Sequence, residues 1–231
     1  MVRMTSRAHS LPPGPVAADW TAEVMRRLRT LWWLKGTATP LGITVFFILY
    51  FWVMQHPLGA VTVMPLTALD HAIAFRPEAL PLYLSLWIYV SLPPALFASA
   101  RELATYAVGC FALGAVGLLL FLLWPTAVPV FDIDWTRYAS MAFMKSMDVA
   151  GNACPSMHVA FALFAALWLQ RVMRQVRVPR GLHLLSALWC AGIIYSTIAT
   201  RQHVALDALA GVALALVVAG LQWRRLPALP G

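Results

Sequence analysis

Two histidines, one carboxylate and one serine have the residue types and spacing that could do chemistry. His203 and Asp207 stand four residues apart in "HVALD", a spacing that places two side chains on one face of a helix. His158 closes the stretch "PSMH". A neutral imidazole is a nucleophile near pH 7, a carboxylate on its other nitrogen fixes the tautomer, and a second histidine can protonate a leaving oxygen. This set fits phosphoryl transfer, with His203 as nucleophile, Asp207 as its partner and His158 as general acid.

The same two stretches offer donors for an anion. Pro155 suits the first position of a helix, so the free N–H groups of that turn, together with Ser156, are expected to face whatever lies above them. Arg201 adds a positive charge two residues before His203. The predicted site is therefore rich in donors and cationic.

The composition indicates that these residues belong to a membrane protein. The chain has 231 residues, of which 61% are hydrophobic and 11% charged, whereas soluble domains are about 45–50% apolar with about 25% charge. Runs of about 17–25 apolar residues are long enough to cross a bilayer. Six runs qualify, at 39–56, 80–98, 103–124, 156–172, 183–200 and 204–222. The sequence thus predicts an all-α fold, an integral membrane bundle of six transmembrane helices.

The distribution of basic residues predicts how the bundle is oriented. With both termini in the cytoplasm, 13 of the 17 Lys and Arg residues fall inside and 4 outside, in keeping with the positive-inside rule. His158 and His203 then lie at the same outer face although they are far apart in sequence. We therefore expect a multi-pass protein of the bacterial inner membrane with its site facing the periplasm. The net charge of +8 is assigned to this orientation and not to binding of nucleic acid.

The chain is expected to fall into three parts. Residues 1–38 form a cytoplasmic disordered tail followed by a basic amphipathic helix, from Asp19 to Lys35, lying in the headgroup region; a helix that binds a protein partner is the alternative. Residues 39–222 form the catalytic membrane domain, and residues 223–231 a cytoplasmic tail. The second span contains Pro93 and Pro94, which predict a kink or an early end.

At these motifs the chain resembles the type-2 phosphatidic acid phosphatase superfamily. That family's second motif reads Pro-Ser-x-His, as in "PSMH" at 155–158, and its third ends in His-x-x-x-Asp, as in "HVALD" at 203–207. The resemblance covers about residues 70 to 222. It implies a six-helix membrane core, metal-independent phosphoryl transfer on lipid phosphates, and the roles given above for His203, Asp207 and His158.

The chain departs from the family where basic residues are usual. The first motif, a lysine followed by Arg-Pro near the end of the third span, is replaced by "LLWPTAVP", and the third motif lacks its arginine six residues before the histidine. Phosphate binding must therefore use other residues. The candidates are Arg201, Lys145 and Arg137, together with Ser156.

The sequence leaves the activity open between related alternatives. The first is a lipid phosphate phosphatase that works through a phosphohistidine at the outer face. The second is a lipid headgroup phosphotransferase of the sphingomyelin or inositol phosphorylceramide synthase type, and the third is a non-enzymatic membrane protein or transporter. No cofactor and no metal are expected, since only His158, His203 and Asp207 could serve as ligands; the expected partners are the lipid phosphate and the bilayer, with the oligomeric state open.

Overall fold

Six long apolar helices form the framework of the protein, as the sequence predicts. The computed structural model describes residues 19–142 and 150–224. Its membrane-length helical segments are Trp32–Gln55, Pro77–Leu96, Ala100–Leu123, Met157–Val176, Arg180–Ala199 and Ala205–Trp223. A helix of 20 residues is about 30 Å long, which matches the hydrocarbon core of a bilayer.

The described residues include nine α-helices and two short strands. The helices are α1 (Trp20–Arg29), α2 (Trp32–Gln55), α3 (Ala68–Ala72), α4 (Leu80–Leu84), α5 (Leu86–Leu96), α6 (Ala100–Leu123), α7 (Met157–Val176), α8 (Arg180–Ala199) and α9 (Ala205–Trp223). Two short parallel strands, β1 (Thr62–Val63) and β2 (Thr126–Ala127), pair in register Thr62 with Thr126. These strands tie the segment after α2 to the segment after α6.

The first membrane helix begins earlier than residue 39. The basic helix α1 ends at Arg29, Leu31 adopts a left-handed conformation, and α2 then runs from Trp32. Lys35 lies inside α2 because its ammonium group is satisfied there: Nζ donates to the carbonyls of Arg27 at 2.7 Å and of Ala95 at 3.0 Å. A paired charge of this kind is tolerated where an unpaired one is costly.

The second span consists of a 3₁₀ turn at Pro77–Ala79, then α4, then α5, with the break between the two helices at Ser85. Pro93 and Pro94 lie inside α5, which ends at Leu96, so they agree with the predicted early end but not with the break at Ser85. The break places the backbone carbonyl of Tyr83 and the ring of Trp87 beside the start of α7, where His158 stands.

Helix α7 is the centre of the bundle. It packs against α5, α8 and α9. Within its apolar 18-residue stretch, 61% of the residues are buried, compared with 11% in the corresponding stretch of α2. The N-terminus of α7 and the N-terminus of α9 meet directly, since the Ser156 N–H donates to the Asp207 carbonyl at 2.9 Å. The two sequence motifs are therefore neighbours at one end of the bundle.

Candidate active site

His203 is held in one tautomer by its backbone surroundings. Its Nδ1 lies 3.0 Å from the carbonyl oxygen of Ala153 and 3.6 Å from Oδ2 of Asp207. Because a carbonyl can only accept, Nδ1 carries the hydrogen and donates it to Ala153. The lone pair of the neutral ring is consequently on Nε2, the atom required of a nucleophile.

Asp207 supports His203 from the first turn of α9. It is fully buried, its Oδ2 accepts the Val204 N–H at 2.9 Å, and its Oδ1 has no hydrogen-bond partner among the described residues. At 3.6 Å from Nδ1, the carboxylate stands just outside hydrogen-bond distance but close enough to stabilise a positive ring. The orientation of His203 is thus shared between Ala153 and Asp207.

Whereas His203 is held through Nδ1, His158 is held through Nε2. Its Nε2 donates to the carbonyl of Tyr83 at 2.8 Å, and its ring stacks on the Tyr83 ring with centroids 3.8 Å apart. The Trp87 ring stands edge-on to it. With Nε2–H committed to a carbonyl, His158 can act as a general acid only by carrying a second proton on Nδ1.

Ser156 is occupied as a helix cap. Its hydroxyl accepts the Val159 N–H at 3.2 Å, which satisfies one of the free donors of the first turn of α7, and the residue is fully buried. It does not line the cavity described below. Its phosphate-binding role stays a prediction, whereas its role as the N-cap of α7 is observed in the structure.

A cavity of about 250 Å³ brings the two histidines together. Most of its walls are aromatic or aliphatic, and the side chains come from α2, α4, α5, α6 and α7 and from the segments just before α7 and α9. The lining residues are Phe46, Phe47, Tyr50, Phe51, Tyr83, Leu86, Trp87, Phe121, Asn152, Met157, His158, Phe161, Gln202 and His203. Phe51 and Trp87 are 40% and 38% exposed, so the cavity reaches the outer surface of the bundle between α2 and α5. The cavity therefore has a polar part, which contains His158 and His203, and an apolar flank, formed by aromatic side chains of α2 and α5, that would face lipid.

The two predicted arginine ligands, Arg201 and Arg137, are not among the described residues that line this cavity. The guanidinium of Arg201 donates to the carbonyls of Asp70 at 3.1 Å and Ile73 at 2.9 Å and lies 4.9 Å from the centre of the Phe131 ring. Arg137 is exposed and pairs with Asp134 at 3.0 Å. Lys145 lies outside the described residues, so its role and those of the two arginines stay predictions.

Four participants in the site were not singled out from the sequence. The carbonyls of Ala153 and Tyr83 orient the two histidines, Gln202 lines the cavity, and Asp70 anchors α9. Backbone carbonyls leave no signature in a sequence. Gln202 had one available signal, its position directly before the histidine.

Asp70 is a buried acid with three donors around it. Its Oδ2 accepts the Thr67 N–H at 2.8 Å and the Thr67 hydroxyl at 2.7 Å. Its Oδ1 accepts the N–H of Ala205, the first residue of α9, at 2.7 Å. The segment containing α3 is thereby attached to the helix start that bears Asp207 and follows His203.

Cys154 adjoins the site as a neutral thiol. Burial, with a contribution from the charge of Asp207, raises the pKa of this thiol to about 11, so it stays protonated at neutral pH and is a poor nucleophile.

Among residues 19–142 and 150–224, no three His, Cys, Asp or Glu side chains are grouped as metal ligands.

The sequence matches a known family over the part of the chain that contains α6 to α9. The model of the PAP2 superfamily matches residues 96–229. The chain belongs to the PAP2 superfamily. This range contains both motifs and the whole of α7, α8 and α9, and it confirms the resemblance read from "PSMH" and "HVALD". No curated protein and no solved structure matches the chain.

Membership in the PAP2 superfamily settles the reaction type at a coarse level. Its members are phosphatases and phosphotransferases, and six apolar helices indicate a multi-pass membrane protein. The protein is therefore a phosphoryl-transfer type of enzyme with a membrane fold. Helices α1 to α4 lie outside the matched range, although α4 supplies the Tyr83 carbonyl to the site.

Proposed function

We propose that this PAP2 protein is a metal-independent lipid phosphate phosphatase that works through a phosphohistidine on His203 at the outer face of the membrane. One observation carries the proposal: His203 and His158 line the same cavity, and His203 is held with Nδ1–H toward Ala153 and Asp207 so that its Nε2 is left as the nucleophile. Sidedness rests on the distribution of basic residues.

The residues present account for each bond and proton of such a reaction. Nε2 of His203 attacks phosphorus, an N–P bond forms, and the P–O bond to the lipid alcohol breaks. His158, protonated on both nitrogens, gives its Nδ1 proton to the departing oxygen. Water then attacks phosphorus and passes a proton to His158, the N–P bond breaks, and inorganic phosphate leaves.

The apolar flank of the cavity supports a lipid as the substrate. Aromatic side chains of α2 and α5 form this flank, and Phe51 and Trp87 are partly exposed at its opening. A hydrocarbon tail could lie between α2 and α5 while its phosphate reaches the histidines.

The same flank favours a phosphotransferase as the second candidate. Its walls are largely apolar, and a cavity that excludes water leaves the intermediate on His203 open to a lipid hydroxyl. In that reaction the donor is a phospholipid: His203 attacks its phosphorus, the P–O bond to the donor's lipid alcohol breaks with a proton from His158, and the phospho-headgroup stays on His203. The acceptor hydroxyl then attacks phosphorus and gives its proton to His158, and the N–P bond breaks.

Phosphate release from purified protein tests the proposal. The protein, in detergent with chelator, is given a panel of lipid phosphates, with and without diacylglycerol or ceramide, beside His203→Ala. The proposal predicts free phosphate from wild type alone, indifferent to acceptor. A new phospholipid that needs the acceptor would make the protein a transferase. Wild-type activity that disappears with chelator would refute metal independence, and no turnover from folded protein would favour transport or binding.

A further inference from the structure

Gln202 has a buried donor with nothing to donate to. Its side-chain Nε2 is buried and lacks a hydrogen-bond partner among the described residues, and the residue lines the cavity that contains His158 and His203. A buried donor without a partner is unfavourable, and native proteins keep few of them. Because Gln202 lines the cavity, its side-chain amide is expected to find its partner in a ligand bound there.

The backbone fixes Gln202 and His203 as a unit. Both N–H groups donate to the carbonyl of Thr197 at 3.0 Å. Arg201, just before them, adopts a left-handed conformation with φ of 57°. This turn sends the Arg201 side chain to the carbonyls of Asp70 and Ile73 while its neighbour Gln202 lines the cavity.

The cavity supplies few other donors for a phosphate. Within residues 19–142 and 150–224, the cavity lining contains no lysine or arginine, and the Asn152 amide already donates to the Tyr50 hydroxyl. Negative charge on the equatorial oxygens of a phosphoryl group in transit needs donors aimed at it.

We propose that the side-chain amide of Gln202 donates to a non-bridging oxygen of the phosphoryl group attacked by His203. Gln202 takes the place that the sequence assigned to Arg201, one residue away. The inference rests on the proposed function for its reaction and names a binding residue for that same site. It makes Gln202 a catalytic residue, because the amide touches the reacting group.

Three variants of the full-length protein in detergent test this role. Gln202→Ala removes the donor, Gln202→Glu keeps the shape but places an acceptor there, and Gln202→Lys restores a donor. Gln222→Ala is the matched control, because the Gln222 amide bonds Thr105 in a pair that joins α9 to α6 away from the histidines. The readouts are kcat and KM on the best lipid phosphate, inhibition by orthovanadate, and the rise in melting temperature that orthovanadate produces.

The expected results separate a donor from a packing residue. Removing one donor to a transition-state oxygen costs about 10²–10³ in kcat, so Gln202→Ala should lose that much and bind orthovanadate about 10–100-fold more weakly. Gln202→Glu should lose more, Gln202→Lys should recover part of the loss, and Gln222→Ala should match wild type.

The outcomes also distinguish this inference from the proposed function. Wild-type turnover with unchanged kcat and orthovanadate inhibition in Gln202→Ala and Gln202→Glu would overturn the role of Gln202 and leave the phosphatase standing. Absent turnover together with Gln202-dependent stabilisation by orthovanadate would support the phosphate contact and count against the phosphatase. Neither turnover nor orthovanadate binding by folded wild type would overturn both.

Discussion

At the scale of single residues, the site depends on which nitrogen of each histidine is free. The Ala153 carbonyl occupies Nδ1 of His203 and the Tyr83 carbonyl occupies Nε2 of His158. The two rings are thus held through opposite nitrogens, and each keeps one nitrogen for chemistry. Asp207 adds a negative charge 3.6 Å from the His203 ring, which under the proposed mechanism stabilises the positive ring of a phosphohistidine.

Asp207→Asn should separate the charge of this residue from its structural bond. An asparagine oxygen can still accept the Val204 N–H that Oδ2 accepts now, so the melting temperature should stay within a few degrees of wild type. The neutral amide no longer stabilises a positive His203, and kcat should fall about 10²–10⁴-fold. Steady-state kinetics and a thermal melt measure both effects, and an unchanged kcat would show that Ala153 alone is sufficient.

At the scale of elements, the start of α9 is positioned by two neighbours. The Ser156 N–H ties it to α7, and Asp70 ties it to the segment around α3 through the Ala205 N–H. Arg201 strengthens the second connection from the other side by binding the carbonyls of Asp70 and Ile73. Movement of the α3 segment would therefore move His203 and Gln202 together.

Asp70→Ala should loosen this attachment. It leaves the partly buried Thr67 and Ala205 N–H groups without their present acceptor, at a cost of about 1 kcal/mol for each donor. Because the connection positions His203, kcat should fall more than KM rises, and Asp70→Asn should recover part of it. Kinetics and melting temperature are the readouts. Glu78→Ala is the control, an exposed acid of the same outer segment; equal effects from both acids would refute a positioning role for Asp70.

Gly211 allows α9 to approach α7 directly under the site. A Cβ at this position would overlap the Ser156 carbonyl and lie 3.3 Å from the backbone nitrogen of Ala160. Gly211→Ala should push the two motif helices apart, destabilise the protein by about 1–3 kcal/mol and lower kcat.

Gly220→Ala provides the matched substitution for Gly211→Ala. It lies on the same helix with nothing within 4 Å of its Cβ position, and it should leave activity unchanged while favouring the helix by up to about 1 kcal/mol. Thermal melts and turnover compare the two variants. Similar losses in both would mean that the close approach of α9 to α7 is not the reason a glycine is needed at position 211, because greater helix propensity would stabilise both variants.

Much of the fold followed from the sequence, because a bilayer imposes a length and polarity that apolar runs display directly. The six spans and the meeting of His158 with His203 are of this kind. The first span was predicted to begin at residue 39, whereas α2 begins at Trp32. The charge of Lys35 argued against a membrane helix there, because the sequence does not show that its Nζ is hydrogen-bonded to the Arg27 and Ala95 carbonyls. The contributions of Asp70 and Gln202 depend on contacts between distant segments, which spacing in one chain does not encode.

At the scale of the whole molecule, the site occupies one end of a bundle that has an even number of spans. His158 and His203 stand at this end, where β2 leads into the loop containing Val130, and the turn between α7 and α8 stands at the other. The excess of basic residues at the second end predicts that it is cytoplasmic.

Cysteine labelling should reveal this orientation. In a background with Cys110, Cys154 and Cys190 replaced by alanine, a membrane-impermeant maleimide should label Val130→Cys from outside intact spheroplasts, because Val130 is fully exposed. Gly181→Cys, at the start of α8 with open space around its Cβ, should react only after permeabilisation. The reverse pattern would place the active site in the cytoplasm.

The central claim, that His203 carries the phosphoryl group, is tested most directly by trapping the intermediate. Wild type is mixed with a lipid phosphate radiolabelled at phosphorus and quenched in alkali, where phosphohistidine survives. The account predicts label on the peptide that contains His203, none in His203→Ala, and a label in His158→Ala when the leaving group needs no proton. Turnover by wild type without labelled protein, or label that persists in His203→Ala, would contradict it.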